Sequence, residues 1–392
     1  MTQAHLSSRI TNITGGGSDG WDVFHKARAM IAAGAPVIEL TIGEHDIRTD
    51  PAILDAMHGA ARAGHTGYAE VPGTRDLRQA IARRVTRQTG VPTTEANVIV
   101  TPGAQAALFA AHIATCDPGD TALYIDPFYA TYPGTIRGAG AIPRAVPARP
   151  EDNFQPRAED IAPFARDARA LLINSPNNPT GVVYTQDTLE GIAGICQDHD
   201  LWLISDEVYD SQVWEGDHVS PRALPGMAER TLVMGSMSKS HAMTGSRCGW
   251  ILGPEAAIDH LITLSTHTTY GVPGYIQDAS VFAFDQGAAL EAEIAAPFRR
   301  RRDLALQILG RQQAVKAIPP QGAMYIMLDI RATGMSGEDF ALALLEEHNI
   351  AVMPGESFGQ AAAGHLRVAM TVDDDRFASA LETLCAFAAA RS

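Results

Sequence analysis

The sequence predicts an α/β protein: a mostly parallel β-sheet flanked by helices, with a smaller α+β domain beside it. Two observations carry this. From Val98 onward, short apolar runs alternate with helical stretches, the pattern of strands buried on both faces. Beyond about Asp285 that alternation stops, and an Arg-rich helical stretch leads into a different order of elements. A chain of 392 residues is long enough for two such units. The expected division is a large domain over 46–285 and a discontinuous small domain made of 1–45, with an N-terminal arm, and 286–392.

In chain order, residues 1–20 are polar and glycine-rich (Gly15-Gly16-Gly17) and read as an arm or mobile segment. Trp21 to Ala33 has helical spacing and stops at Gly34, and Val37 to Leu40 reads as a short strand. Pro51 suits the first turn of a helix reaching about Ala63, and a second helix runs from about Asp76 to Thr89. Strands are then expected at Val98–Val100, Ala122–Ile125, Leu171–Asn174, Leu201–Ile204, Thr231–Met234 and Gly249–Leu252, with Gly103 opening a helix to about Thr115. The C-terminal unit should hold a helix over Phe298–Leu309, a strand at Met324–Leu328, a helix over Gly337–His348, two short strands and a final helix over Asp373–Ala390.

Composition narrows the function. With 46% hydrophobic and 19% charged residues the chain can bury a large core. A net charge of −15 argues against general affinity for nucleic acid or anionic membranes. The four cysteines are far apart with no C-x-x-C pair, which fits reduced cytoplasmic thiols better than a disulfide frame or a metal site. Met1 to Ile10 lacks an apolar signal core, and no run approaches a membrane span, so the expectation is a soluble cytoplasmic protein.

The most informative stretch is Gly235-Ser236-Met237-Ser238-Lys239, followed by Gly245-Ser246-Arg247-Cys248-Gly249. The chain has only three lysines, Lys26, Lys239 and Lys316, although Lys and Arg total 30. A lysine among hydroxyls and glycines then points to amine chemistry, which a guanidinium cannot perform. An amine of lowered pKa can form a Schiff base with an aldehyde, and Ser236, Ser238 and Arg247 suit a phosphate. Pyridoxal 5′-phosphate is an aldehyde that carries a phosphate. Taken alone, the pentapeptide fits equally a Ser/Gly-rich loop with a solvated lysine.

Ligands of open α/β sheets sit beyond the carboxyl ends of the strands, and the polar residues of interest fall there one strand after another. Thr101-Pro102-Gly103-Ala104-Gln105 joins a strand to a helix whose free N–H groups suit phosphate, although such turns are commonly structural. Asp126-Pro127-Phe128-Tyr129 places aromatics where a flat ring can stack, with a core role as the alternative. The loop Asn174-Ser175-Pro176-Asn177-Asn178-Pro179-Thr180-Gly181 holds asparagine amides rigidly as donors. Ser205-Asp206-Glu207-Val208-Tyr209 ends an apolar strand with carboxylates that need a cation when buried, such as a protonated pyridine nitrogen; a helix-capping aspartate is the alternative.

These motifs, in this order from Gly43 to Arg367, resemble those of fold-type I, class I/II PLP-dependent aminotransferases, of the broad group that includes bacterial aspartate aminotransferases. The resemblance implies a sheet of the seven-stranded type. It also implies transfer of an amino group between an L-amino acid and a 2-oxo acid, by a ping-pong cycle through a Lys239 Schiff base. By motif, Asp206 would partner the pyridine N–H, Asn178 and Tyr209 would donate to the phenolic oxygen, and Tyr129 would stack on the ring. Gly103, the Ala104 and Gln105 backbone, Ser236 and Arg247 would hold the phosphate, joined by Tyr68 from the neighbouring subunit of a homodimer. Arg367, in His365-Leu366-Arg367-Val368, would grip the substrate carboxylate, with Gly43 lining that site.

Some residues depart from the family pattern. His45 stands where the family often has proline, and a structural or solvent-exposed role is expected for it. Gln105 replaces a basic residue found in some relatives that act on acidic substrates, which weakens an aspartate assignment. Two other functions remain compatible with the same cofactor residues, a β-elimination C–S lyase and a non-enzymatic PLP-binding protein. The latter would usually carry a DNA-binding module, and the chain shows no basic segment for one.

Overall fold

The computed structural model describes residues 4–17 and 20–392. Residues 1–3 and 18–19 of the expected arm lie outside the described residues. The strands are β1 (Ile38–Glu39), β2 (Val98–Thr101), β3 (Thr121–Asp126), β4 (Ile142–Pro147), β5 (Ala168–Asn174), β6 (Trp202–Asp206), β7 (Thr231–Ser236), β8 (Gly249–Leu252), β9 (Lys316–Ile318), β10 (Tyr325–Asp329), β11 (Ile350–Ala351), β12 (Met353–Pro354) and β13 (His365–Ala369).

Seven of these strands form one sheet in the order β2-β8-β7-β6-β5-β3-β4. Neighbours from β4 through β7 are parallel, and β8 is antiparallel to both β7 and β2. Every residue of β2, β7 and β8 is buried, which is why these strands read as unbroken apolar runs rather than alternating ones. The expected α/β architecture is present. One strand of the sheet, β4, was not expected from the sequence. Pro143 and Pro147 disguise it, and proline is tolerated there because β4 is an edge strand with no neighbour on one side.

Helix Pro51–Arg62 starts as expected, with Pro51 in its first turn and the Asp50 side chain accepting the Ala52 N–H at 2.7 Å. The Arg-rich helix begins at Ala288 rather than Phe298 and continues to Leu309 through Pro297, a residue that reads as a break in the sequence. A four-residue helix, Ser8–Thr11, lies within the expected arm. Beyond the large sheet, β12-β13-β10-β9 form an antiparallel sheet, and β1 pairs in parallel with β11. Three short strands therefore follow helix Gly337–His348 instead of two, and β9 precedes β10.

Val23 and Ala27, from helix Asp22–Ala32, and Leu40 pack into the same apolar cluster as Phe298, Tyr325, Leu344 and Phe377. The N-terminal segment is thus anchored on the C-terminal elements. Among the described residues no helix is long and apolar enough to cross a membrane.

Candidate active site

Strand register brings the polar strand ends together. Asn174 lies beside Asp206, and Asp206 beside Met234, two residues before Ser236. Gly249 pairs with Ser236 on one side and with Thr101 on the other. These ends border a cavity of ≈ 300 Å³. Of the expected residues, Gly43, Ala104, Gln105, Tyr129, Asn178, Asp206, Tyr209, Ser236, Lys239, Arg247 and Arg367 all line it. Gly103 adjoins it through Arg247. Tyr68 does not reach it: the side chain is 95% exposed and stacks edge-on against Tyr270 at 5.3 Å.

One end of the cavity is built for an anion. Helix Ala104–Thr115 starts after Gly103, whose φ of +79° favours glycine, and has no side-chain cap over its first N–H groups. A Cβ on Gly103 would lie 2.5 Å from Arg247 Nη2, and one on Gly249 would lie 2.8 Å from the Ala104 nitrogen, so neither position has room for a side chain. The Ser236 hydroxyl accepts the Ser238 N–H at 3.0 Å and donates to the Cys248 carbonyl at 3.3 Å. Arg247 donates to the Thr244 carbonyl at 3.0 Å and, among the described residues, pairs with no carboxylate. The Gln105 side chain turns away, donating to Thr135 at 2.7 Å and accepting from Thr131 at 3.1 Å, so only its backbone serves this end. Helix N–H groups, a hydroxyl and a guanidinium together suit a phosphate.

In the middle stand a carboxylate and an amine. Asp206 is 5% exposed, and its Oδ2 accepts the Tyr132 hydroxyl at 2.7 Å. Burial pushes its carboxyl up to about 6, although the Tyr132 hydroxyl opposes this. Among the described residues it forms no ion pair, the Lys239 charge acting on it without contact, and a bound cation would compensate its burial. Lys239 donates from Nζ to the Gly43 carbonyl. Burial lowers its amine to about 8, against the Glu44 carboxylate and with help from Arg367 and Arg247.

At the other end Arg367 is 1% exposed. Its Nη1 donates to Asn178 Oδ1 at 2.9 Å, its Nη2 donates to the Thr41 carbonyl, and its Nε has no partner. The guanidinium lies 4.5 Å from the Tyr325 ring centre and 4.3 Å from that of Phe358. Burial holds its pKa below the usual arginine range, and among the described residues no carboxylate compensates it. Such a cation is prepared for an anionic ligand.

Sequence reasoning missed Tyr132, Tyr325 and Phe358, and the part Asn174 plays inside the loop it named. Tyr132 supplies the hydrogen bond to Asp206, 74 residues further along the chain. Asn174 fixes the loop, with Nδ2 donating to the Asp206 carbonyl at 2.8 Å and Oδ1 accepting the Asn178 N–H at 2.7 Å. Tyr325 shares a 3.0 Å hydroxyl contact with Tyr209 and leaves no room for a Cβ on Gly43. Phe358 covers Arg367. The only local signal was the aromatic Tyr132 three residues after Tyr129. Glu207, the second carboxylate of its motif, faces away, accepting from Ser205 and Ser220 at 2.8 Å and meeting His218 at 2.9 Å. His45 is buried against Phe298 rather than exposed, and burial lowers its imidazole to about 3, so it is neutral.

An anion cradle, a buried carboxylate lacking a cation and a depressed amine, with Tyr129 beside them, fit a pyridine aldehyde bearing a phosphate. The model for the aminotransferase class I and II family matches residues 35–384. The chain is 41% identical to an arginine–pyruvate transaminase of Pseudomonas aeruginosa, over 92% of both chains. It is 36% identical to an aspartate/prephenate aminotransferase of Thermus thermophilus, over 91% of this chain and 92% of the relative. Among solved structures, the aspartate aminotransferase from Thermus thermophilus with maleate superposes with a TM-score of 0.92 at 34% identity, covering 98% of this chain and 100% of that one. The aromatic aminotransferase from Pyrococcus horikoshii gives 0.87 at 32% identity, covering 93% and 99%.

Proposed function

The chain belongs to the class I and II aminotransferases, pyridoxal-phosphate-dependent enzymes that transfer amino groups, and on that premise we propose that Lys239 carries the cofactor and that the preferred amino donor has no side-chain carboxylate. One observation supports the site reading above others. The Lys239 amine shares the cavity with a buried carboxylate, Asp206, and a buried guanidinium, Arg367, neither of which forms an ion pair among the described residues. A β-elimination lyase is not favoured, because the relatives are named as aminotransferases.

The cofactor, when bound, supplies an aldehyde that takes up the amino group and a ring that draws electrons from the reacting carbon. The residues present divide the remaining work. The helix start at Ala104, Ser236 and Arg247 would bind the phosphate, and Tyr129 would flank the ring. Asp206 would hold a proton on the ring nitrogen by charge. Asn178 and Tyr209 would donate to the phenolic oxygen. Arg367 would bind the substrate carboxylate. With its amine lowered to about 8, a useful fraction of Lys239 is neutral near neutrality, so Nζ can take up the Cα proton as a base and then give it up as an acid on the cofactor side.

The charge inventory supports the donor preference. The cations lining the cavity are Lys239, Arg247 and Arg367. With the phosphate on Arg247 and the α-carboxylate on Arg367, the described residues lining the cavity offer no further cation to a side-chain carboxylate, and Glu44 lies in the same wall. The name of the Pseudomonas relative makes pyruvate the first acceptor to test. Without acceptor, each site should convert one donor molecule and stop; adding pyruvate should restart turnover. Donors with neutral or cationic side chains should exceed aspartate in kcat/KM by at least about tenfold, the cost of an unpaired charged group. Continuous release of ammonia and pyruvate without acceptor would overturn transamination, and an aspartate preference would overturn the donor reading.

We also propose a homodimer with shared sites. Tyr68 supports it: an aromatic residue 95% exposed, stacked on the half-exposed Tyr270, is placed to meet a second chain. Mixing inactive Tyr68→Asp and Lys239→Ala chains should restore partial activity, because a mixed dimer holds one intact site. No recovery despite demonstrated subunit exchange would contradict it.

A further inference from the structure

Asp126 is a buried carboxylate that none of the roles above uses. It ends β3 in the large sheet, yet its side chain reaches across to the turn between β12 and β13. Oδ2 accepts the Gln360 N–H at 3.0 Å and the Ala361 N–H at 3.3 Å, and Oδ1 accepts the Ala361 N–H at 3.3 Å. It is 5% exposed, and among the described residues it has no cationic partner. These amides are therefore what compensates its burial. Gly359, at φ +117°, passes so close to the carboxylate that a Cβ there would overlap it. The Phe128 N–H donates to the Phe358 carbonyl at 2.9 Å, adding a backbone tie next to the side-chain one. Phe358 is fully buried, and its ring lies 4.3 Å from the Arg367 guanidinium.

The contacts thus form a short chain from the sheet bearing the cofactor residues to the cation for substrate. We propose that Asp126 is a positioning residue for substrate: its carboxylate pins the turn at Gly359–Ala361 and so holds Phe358 against Arg367, fixing the guanidinium that receives the substrate carboxylate. This rests on the reading of Arg367 as the carboxylate site. The residue does not line the cavity. Losing it leaves two amides without their acceptor and frees the covering ring, while the phosphate cradle, Asp206 and Lys239 stay in place. The loss should therefore fall on carboxylate binding and not on proton transfer.

The test compares Asp126→Ala, Asp126→Asn and Gln360→Pro in the holoenzyme. Gln360→Pro removes one of the donating N–H groups from the other side of the contact, at the first residue of a short helical turn where proline is tolerated. Two readouts are needed: the KM for pyruvate, and the Kd for propionate followed by the absorbance of the bound cofactor. Asp126→Ala and Gln360→Pro should each raise both constants about tenfold, with kcat and cofactor affinity within about twofold, and Asp126→Asn, which keeps one acceptor, should recover most of the loss. Unchanged propionate Kd in the variants that fold overturns the proposal, as does an equal loss in kcat and cofactor affinity. If Asp126→Ala does not fold, the other two variants decide. Arg367→Lys is the control. If it leaves propionate binding unchanged, the carboxylate site itself is misassigned and the proposal falls with it; if it weakens binding while the Asp126 and Gln360 variants do not, only the positioning role fails.

Discussion

Lys239→Ala should lower turnover by about 10²- to 10⁴-fold, the scale of a lost general acid–base group. Lys26→Ala and Lys316→Ala should stay within about twofold, since changes at exposed sites are small. Lys26 pairs with Glu346 on the surface, and Lys316 lies exposed on β9. Lys239→Arg sharpens the result. A guanidinium keeps the charge and much of the volume but does not deprotonate, so this variant should be as inactive as the alanine one. Retained activity in Lys239→Arg would show that position 239 supplies charge alone. Steady-state rates at saturating donor and pyruvate read all four variants.

The second large effect is expected at Asp206. Asp206→Asn keeps the size and an acceptor for the Tyr132 hydroxyl but removes the charge that would hold a proton on the ring nitrogen. Turnover should fall about a hundred- to a thousandfold, as when a preorganised electrostatic partner is removed. The pH dependence of cofactor uptake gives an independent reading. Asp206 is pushed up to about 6, so it is ionised only above that pH. Lys239 is lowered to about 8, so its amine becomes neutral only as pH passes that value. Uptake by the apoprotein should therefore rise through two limbs. In Asp206→Asn the lower limb disappears and the upper one remains; in Lys239→Ala the upper limb disappears instead. A lower limb that survives in Asp206→Asn would assign it to another group.

Much of this was legible in the sequence for a physical reason. Strands buried on both faces are largely apolar, so β2, β3, β5, β6, β7 and β8 announce themselves, and all of them except antiparallel β8 end in a polar residue. The rarity of lysine singled out Lys239. What escaped depended on contacts between distant segments. Tyr132 meets Asp206 only because β3 and β6 lie on either side of β5 in the sheet. Tyr325 and Phe358 enclose Arg367 from separate elements of the C-terminal half, and no local pattern marks them. Gly43 could be named by resemblance, but its reason, the Tyr325 hydroxyl where a Cβ would go, is purely three-dimensional. β4 was hidden by prolines that only an edge strand tolerates.

The central claim is that one lysine of three carries the cofactor. Borohydride reduction of the holoenzyme, followed by proteolysis and mass mapping, tests it directly, because reduction makes the bond between lysine and cofactor permanent. A pyridoxyl-phosphate adduct is expected on the peptide containing Lys239, and none on those containing Lys26 or Lys316. An adduct on either of those lysines, with Lys239 unmodified, would contradict it.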